Sequence, residues 1–194
     1  MKSQSGQTKQ KTIIGVDYSL TSPAICITED FKFENSQFFF LTNKKKYIGP
    51  MSKNIFGFEH KEYITPIHRF SQISDWVLDT IKETFHSPQQ VFIEGYSFGS
   101  KGQAVFQIAE NCGILKYRLQ ELKIDYETIV PSVVKKGATG KGNADKDLMY
   151  ESFSKETNTN LKKIFDVEKI GNPVSDIVDS FYIAKVGYEN FKSK

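Results

Sequence analysis

Ile13-Ile14-Gly15-Val16-Asp17-Tyr18-Ser19-Leu20 (residues 13–20) decides how the rest of the chain is read. Its first four residues are a short apolar run of buried-strand type, and the run ends directly in a carboxylate. A second segment repeats the arrangement, with Val91-Phe92-Ile93 running into Glu94. Near the C-terminus Asp176 and Asp179 are spaced i, i+3 and so share a helix face. Their neighbours Ile177, Val178, Phe181, Tyr182, Ile183, Ala184 and Val186 mark that helix as largely buried. Acids in such places need partners. Three or four carboxylates converging from strand ends and a helix make an oxygen-rich cage for hard divalent cations, usually Mg²⁺. That is the chemistry of phosphodiester cleavage by two metal ions.

Each acid also has a plainer reading. Asp17 opens the turn Asp17-Tyr18-Ser19-Leu20-Thr21-Ser22, where an aspartate can simply cap its own loop. Asp176 and Asp179 fall in early helical turns, where the helix dipole favours anions. Glu94 is harder to explain that way, because glutamate is a poor turn former; at a strand end before a glycine it points into a cleft.

Outward from the first strand (12–18), residues 24–28 and 35–41 read as two more, an antiparallel meander of three. Residues 42–62 (TNKKKYIGPMSKNIFGFEHKE) mix Lys, Gly, Pro and aromatics without a period and read as an insertion or long loop. Thr65-Pro66 is an N-cap and first-turn pair, and Ile67, Phe70, Ile73, Val77 and Ile81 follow at helical spacing until Ser87-Pro88. After the strand to Glu94 come a loop (95–102), a helix (103–122) and a fifth strand (126–130) closed by Pro131. A glycine-rich loop, GATGKGNADK (137–146), leads into a third helix through residue 154. A polar linker (158–171) precedes Asn172-Pro173, read as the N-cap and first position of the last helix. This order predicts a single α/β domain over 12–194, with a five-stranded mixed sheet flanked by helices. The polar residues 1–11 read as a disordered basic arm.

The bulk numbers narrow the function. A chain of 194 residues suits one domain with a sizeable core. No run of eighteen apolar residues or signal-peptide core is present, so a soluble cytosolic protein with no membrane partner is expected. Cys26 and Cys112 lack metal-ligand spacing and read as reduced core thiols, while His60, His68 and His86 show no ligand spacing either. The net charge is +3, and of 26 basic residues only Arg69 and Arg118 are arginine. Lysines cluster at 44–46, 135–136, 141, 146 and 162–163. Lysine grips phosphate as a point charge without the fork that reads guanine edges. The composition therefore favours salt-sensitive backbone binding of nucleic acid, the alternative being a solubilising surface.

Two loops could meet that backbone. Gly95-Tyr96-Ser97-Phe98-Gly99-Ser100-Lys101-Gly102 puts two aromatics between glycines beside Glu94, which suits stacking on unpaired bases; Phe98 tucked into the core is the alternative. Gly137 to Asn143 resembles a phosphate-cradling loop, or is a mobile connection. It lacks the spacing of an NTP-binding loop, so no nucleotide cofactor is expected.

The pieces IIGVDYSL (13–20), VFIEGYSF (91–98), KKGATGKGNADK (135–146) and SDIVDSFYIA (175–184), in this order, resemble the RuvC family of Holliday-junction resolvases in the RNase H-like superfamily. The resemblance covers roughly residues 12 to 190. It implies an RNase H-like fold and a metal-dependent endonuclease that resolves four-way DNA junctions in recombination and repair. Carried over residue by residue, Asp17, Glu94, Asp176 and Asp179 would bind two Mg²⁺ ions, with Mn²⁺ able to substitute. Lys146 would offset charge at the scissile phosphate and Lys135 would position the backbone. Lys141, Tyr96, Ser97, Phe98 and Lys101 would contact DNA, with Phe98 or else Tyr96 as the wedge into the junction. The family is homodimeric, one subunit per cleaved strand. Bacterial members often carry histidine where this chain has Asp176, so the chain resembles phage-type members, which would place it in a host cytoplasm. Two other readings stand beside this one: an RNase H that cuts RNA–DNA hybrids with the same acids, and a non-catalytic branched-DNA binder.

Overall fold

Alternation along the first strand sets where everything else packs. Ile14 and Val16 face one side of the sheet, while Ile13, Gly15 and Asp17 face the other. The computed structural model describes residues 11–84, 89–96 and 103–193. Residues 1–10 of the N-terminal arm, His86, Ser97, Phe98 and Lys101 lie outside the described residues. Within them, β1 (Thr12–Asp17), β2 (Ala24–Thr28), β3 (Gln37–Thr42), β4 (Gly49–Ser52), β5 (Ile55–Glu59), β6 (Gln89–Glu94) and β7 (Tyr126–Ile129) form one sheet. Its order is β4-β5-β3-β2-β1-β6-β7. The meander β1–β2–β3 is antiparallel, as is β4–β5, whereas β3–β5, β1–β6 and β6–β7 are parallel.

Helices cover both faces, as the parallel half of the sheet requires. On one side α1 (Pro66–Thr84) and α2 (Gln103–Glu121) pack Ile73, Val77, Ile81, Leu115 and Leu119 against Ile14, Val16, Val91 and Ile93. On the other, α6 (Val174–Lys192) lies against the sheet with α3 (Pro131–Thr139), α4 (Lys146–Thr157) and α5 (Leu161–Phe165) around it. Phe181 of α6 meets Phe153 edge to face at 5.2 Å over Phe38. Each such fully buried side chain contributes about 1.5–3 kcal/mol relative to exposure.

The mixed α/β architecture is the one expected, but the sheet has seven strands and not five. The segment 42–62, read as a loop, supplies β4 and β5, which extend the sheet beyond β3. Gly57 hides this: a side chain there would stand 1.8 Å from the Tyr47 carbonyl, so the strand carries a glycine where an apolar residue would have marked its inward face. Residues 131–139 form α3, opened by Pro131 and ended by Gly140 at φ 79°, so the first three residues of the glycine-rich loop, 137–139, are helical. The linker 158–171 contains α5. The last helix begins at Val174 with Pro173 as its N-cap, one residue later than read. At α1 the expected cap holds, with Thr65 Oγ1 accepting from the His68 N–H at 3.2 Å. Cys26 and Cys112 are free and buried.

Candidate active site

Strand register brings the first two acids side by side. Val16 pairs with Ile93 in the parallel β1–β6 ladder, so the next position sets Asp17 beside Glu94 at the same sheet edge. Both follow the alternation of Gly15 and Phe92, which face α6. Gly15 lets that helix come down onto β1, since a Cβ there would meet the Ser180 carbonyl at 2.1 Å and the Ala184 nitrogen at 2.4 Å. Asp176 and Asp179 sit on the turn of α6 just before this contact. The close approach thus carries the helix's paired acids to the ends of two strands.

Burial governs the chemistry of the cluster. Asp17 and Asp176 are 8% and 6% exposed, and Asp179 and Glu94 are partly buried. Desolvation, then Asp176, Glu94 and Asp179, push the Asp17 carboxyl well above the ordinary range. Glu94 is raised to about 7 by burial and then by Asp179. Asp179 is raised to about 6 by burial and then by Asp176, with Lys146 and Lys135 opposing. Burial raises Asp176 as well, partly offset by two hydroxyls. Ser22 Oγ donates to its Oδ2 at 2.6 Å, and Ser175 Oγ lies 3.2 Å from its Oδ1.

The site therefore unites Asp17, Glu94, Asp176, Asp179, Lys135 and Lys146, six of the residues singled out in the sequence. Four hard carboxylates opposed by two ammonium groups are a donor set suited to divalent cations, which would relieve the repulsion. Among the described residues no three acidic, His or Cys side chains stand as a ready-made coordination group. The turn-capping alternative for Asp17 falls to another residue, since Ser19 Oγ accepts from the Ser22 N–H at 3.1 Å. Lys146 opens α4 behind the N-cap Asp145, and its Nζ donates to Ser175 Oγ at 3.2 Å. Lys135 is carried by α3, which Gly137 allows to press on Val186 of α6.

Lys141 stays apart, exposed on the connection between α3 and α4. Along that connection the N–H groups of Gly140, Lys141 and Ala144 donate to Lys136 O, Thr139 Oγ1 and Lys141 O. Tyr96 is half exposed, its ring beneath Lys116 at 5.1 Å and its hydroxyl 3.4 Å from Ala109 O. It lines a cleft of about 390 Å³ with Asp17, Glu94, Leu20, Ile108 and Cys112. The roles of Ser22, Asn172 and Ser175 beside the acids escaped the sequence reading, because isolated small polar residues carry no pattern. Gly15 was the signal available, a glycine inside a strand two residues before an acid.

Comparison with known proteins identifies the family. The family described as crossover junction endodeoxyribonuclease RuvC, one of metal-dependent nucleases, matches residues 61–184. A RuvC of Campylobacter concisus (strain 13826) is 31% identical over 107 residues, 55% of this chain and 62% of the relative. One of Brachyspira hyodysenteriae is 29% identical over 104 residues, 54% of this chain and 62% of the relative. The matched stretch thus spans 62% of the length of either curated relative. Thermus thermophilus RuvC superposes with a TM-score of 0.59 at 14% identity, over 94% of this chain and 96% of that one. The same protein in complex with Holliday junction substrate gives 0.58 at 13% identity over 94% and 95%. The yeast mitochondrial Holliday junction resolvase Ydc2 gives 0.55 at 13% identity over 97% and 86%. These structures share the fold, and with more than half of its residues matched by the family, the chain belongs to the RuvC family.

Proposed function

We propose that the chain is a metal-dependent endonuclease that resolves Holliday junctions and related branched DNA by nicking strands near the branch point. The observation that carries this reading is the union of Asp17, Glu94, Asp176 and Asp179 with Lys135 and Lys146 at one sheet edge. The four carboxylates would hold two Mg²⁺ ions, or Mn²⁺ in their place, which supply an activated water and charge stabilisation at the leaving oxygen. Lys146 faces Asp17, Asp176 and Asp179, where it offsets negative charge building on the phosphate. Lys135 holds the backbone beside Glu94. Ser22 keeps Asp176 oriented and partly offsets the rise that burial imposes on its carboxyl. The half-exposed Tyr96 offers a ring for an unpaired base at the rim of the cleft.

The enzyme acts as a homodimer in this reading, because a two-fold junction presents two equivalent strands. Phe106 and Tyr117, 70% and 61% exposed and about three turns apart on α2, supply apolar surface for that contact. Incubating labelled four-way junction, flap, linear duplex and RNA–DNA hybrid with the protein and Mg²⁺ tests the assignment. Paired nicks near the branch point of the junction are expected. Preferential cutting of the hybrid would identify an RNase H instead, and tight junction binding with no turnover would identify a binding protein.

A further inference from the structure

We propose that Lys44 is a third substrate-holding ammonium group of this site, gripping a DNA phosphate next to the one that is cut. The inference rests on the endonuclease reading and adds a residue from the segment between β3 and β4. Lys44 lies two residues past the end of β3, and its N–H donates to Thr42 Oγ1 at 3.1 Å. Its Nζ reaches across to the Asn172 carbonyl at 3.1 Å. Asn172 Oδ1 lies 3.3 Å from Ser175 Oγ, the same hydroxyl that accepts from Lys146 Nζ at 3.2 Å. Two ammonium groups from distant parts of the chain are thus docked on the short entry to α6, directly before Asp176.

The electrostatics agree with Lys44 docking beside Asp176. Lys135 acts on Glu94 and Asp179, Lys146 on Asp17, Asp176 and Asp179, and Lys44 on Asp176. Lys44 therefore serves the Asp176 side of the cluster and Lys135 the Glu94 side. Tyr47 backs Lys44. Its ring, packed edge to face on Phe165 at 5.4 Å, lies beneath Lys44 at 5.8 Å and Lys46 at 4.7 Å. An ammonium carries three donors, and the Asn172 carbonyl takes one of Lys44's. Several point charges beside a phosphate-cutting site suit a polyanion whose charges repeat along a strand better than a single small anion.

The test compares Lys44→Ala with Lys32→Ala, which removes equal charge after β2 at the opposite end of the sheet. Binding of a four-way junction is measured in chelator across a range of KCl. Wild type and Lys32→Ala should share one slope of log affinity against log salt. Lys44→Ala should bind more weakly, with a slope smaller by about 0.9, the loss of one phosphate contact. Methylphosphonates placed singly at the phosphates flanking the cut should include one that weakens wild type and leaves Lys44→Ala unchanged. Wild-type affinity and slope in Lys44→Ala would overturn the proposal. So would a weaker affinity at unchanged slope, which would mark Lys44 as a structural tie for α6, or additive losses at every flanking phosphate. The endonuclease reading fails on a separate readout, wild-type protein that leaves the junction uncut in Mg²⁺.

Discussion

Glu94 ends a strand buried between two layers, and its proton affinity reports on the acids around it. In the metal-free protein its carboxyl is raised to about 7 and that of Asp179 to about 6, burial first and neighbouring acids second. Between the unfolded and these folded values the native state binds more protons than the unfolded chain, so stability falls as pH rises from about 4 to about 7. Melting in chelator should therefore show a higher Tm at pH 5 than at pH 8, and Glu94→Gln should exceed wild type at pH 8. Added Mg²⁺ should restore wild type there, where the carboxylates are free to ligate. A Glu94→Gln variant less stable than wild type in chelator at pH 8 would contradict this electrostatic account. Ser22→Ala tests the oriented carboxylate. Losing the 2.6 Å bond to Asp176 should lower metal affinity or cleavage by about 10–100-fold with little change in Tm. Titration calorimetry with Mn²⁺ would show it.

At the scale of elements, the contact between α6 and β1 places half of the site. Gly15→Ala would push a Cβ against backbone atoms at 2.1 and 2.4 Å, which cannot swing aside as a side chain can. It should cost about 1–3 kcal/mol in chemical denaturation. Cleavage should fall further than stability explains, because the helix carries Asp176 and Asp179 with it. Elements that bear strong periodicity were legible in the sequence. The β1–β3 meander, α1 with its Thr65 cap, β6 ending in Glu94 and the apolar α6 all announce themselves. What stayed hidden has local causes. β5 carries Gly57 where an apolar residue would signal a strand, since Tyr47 leaves no room for a side chain. α3 is nine residues long with a glycine pressed against Val186, so its helical character comes from tertiary packing more than from propensity. The acids were legible as a set, because two strands ending in carboxylates and a paired Asp on an apolar helix point to one place, although Asp17 alone could equally cap its turn. The hydroxyls and Lys44 were not, because nothing in their spacing ties them to α6.

For the whole molecule, the sheet acts as a platform with its chemistry at one edge. Strand ends bring Asp17 and Glu94, α6 brings Asp176 and Asp179, and α3 and α4 bring the two lysines from the side. A lysine-dominated surface predicts junction affinity that falls steeply with salt, with a log–log slope of about −0.9 for each phosphate contacted. A slope near zero would remove backbone binding from the account. The central claim, that these four acids form one catalytic centre for branched DNA, is tested most directly by Asp179→Asn. Its junction affinity and its Mg²⁺-dependent rate of junction nicking are to be measured beside wild type. The account predicts affinity within a few-fold of wild type and a rate lower by at least about 10²–10³-fold. Nicking at near wild-type rate by the Asp179→Asn protein would contradict it.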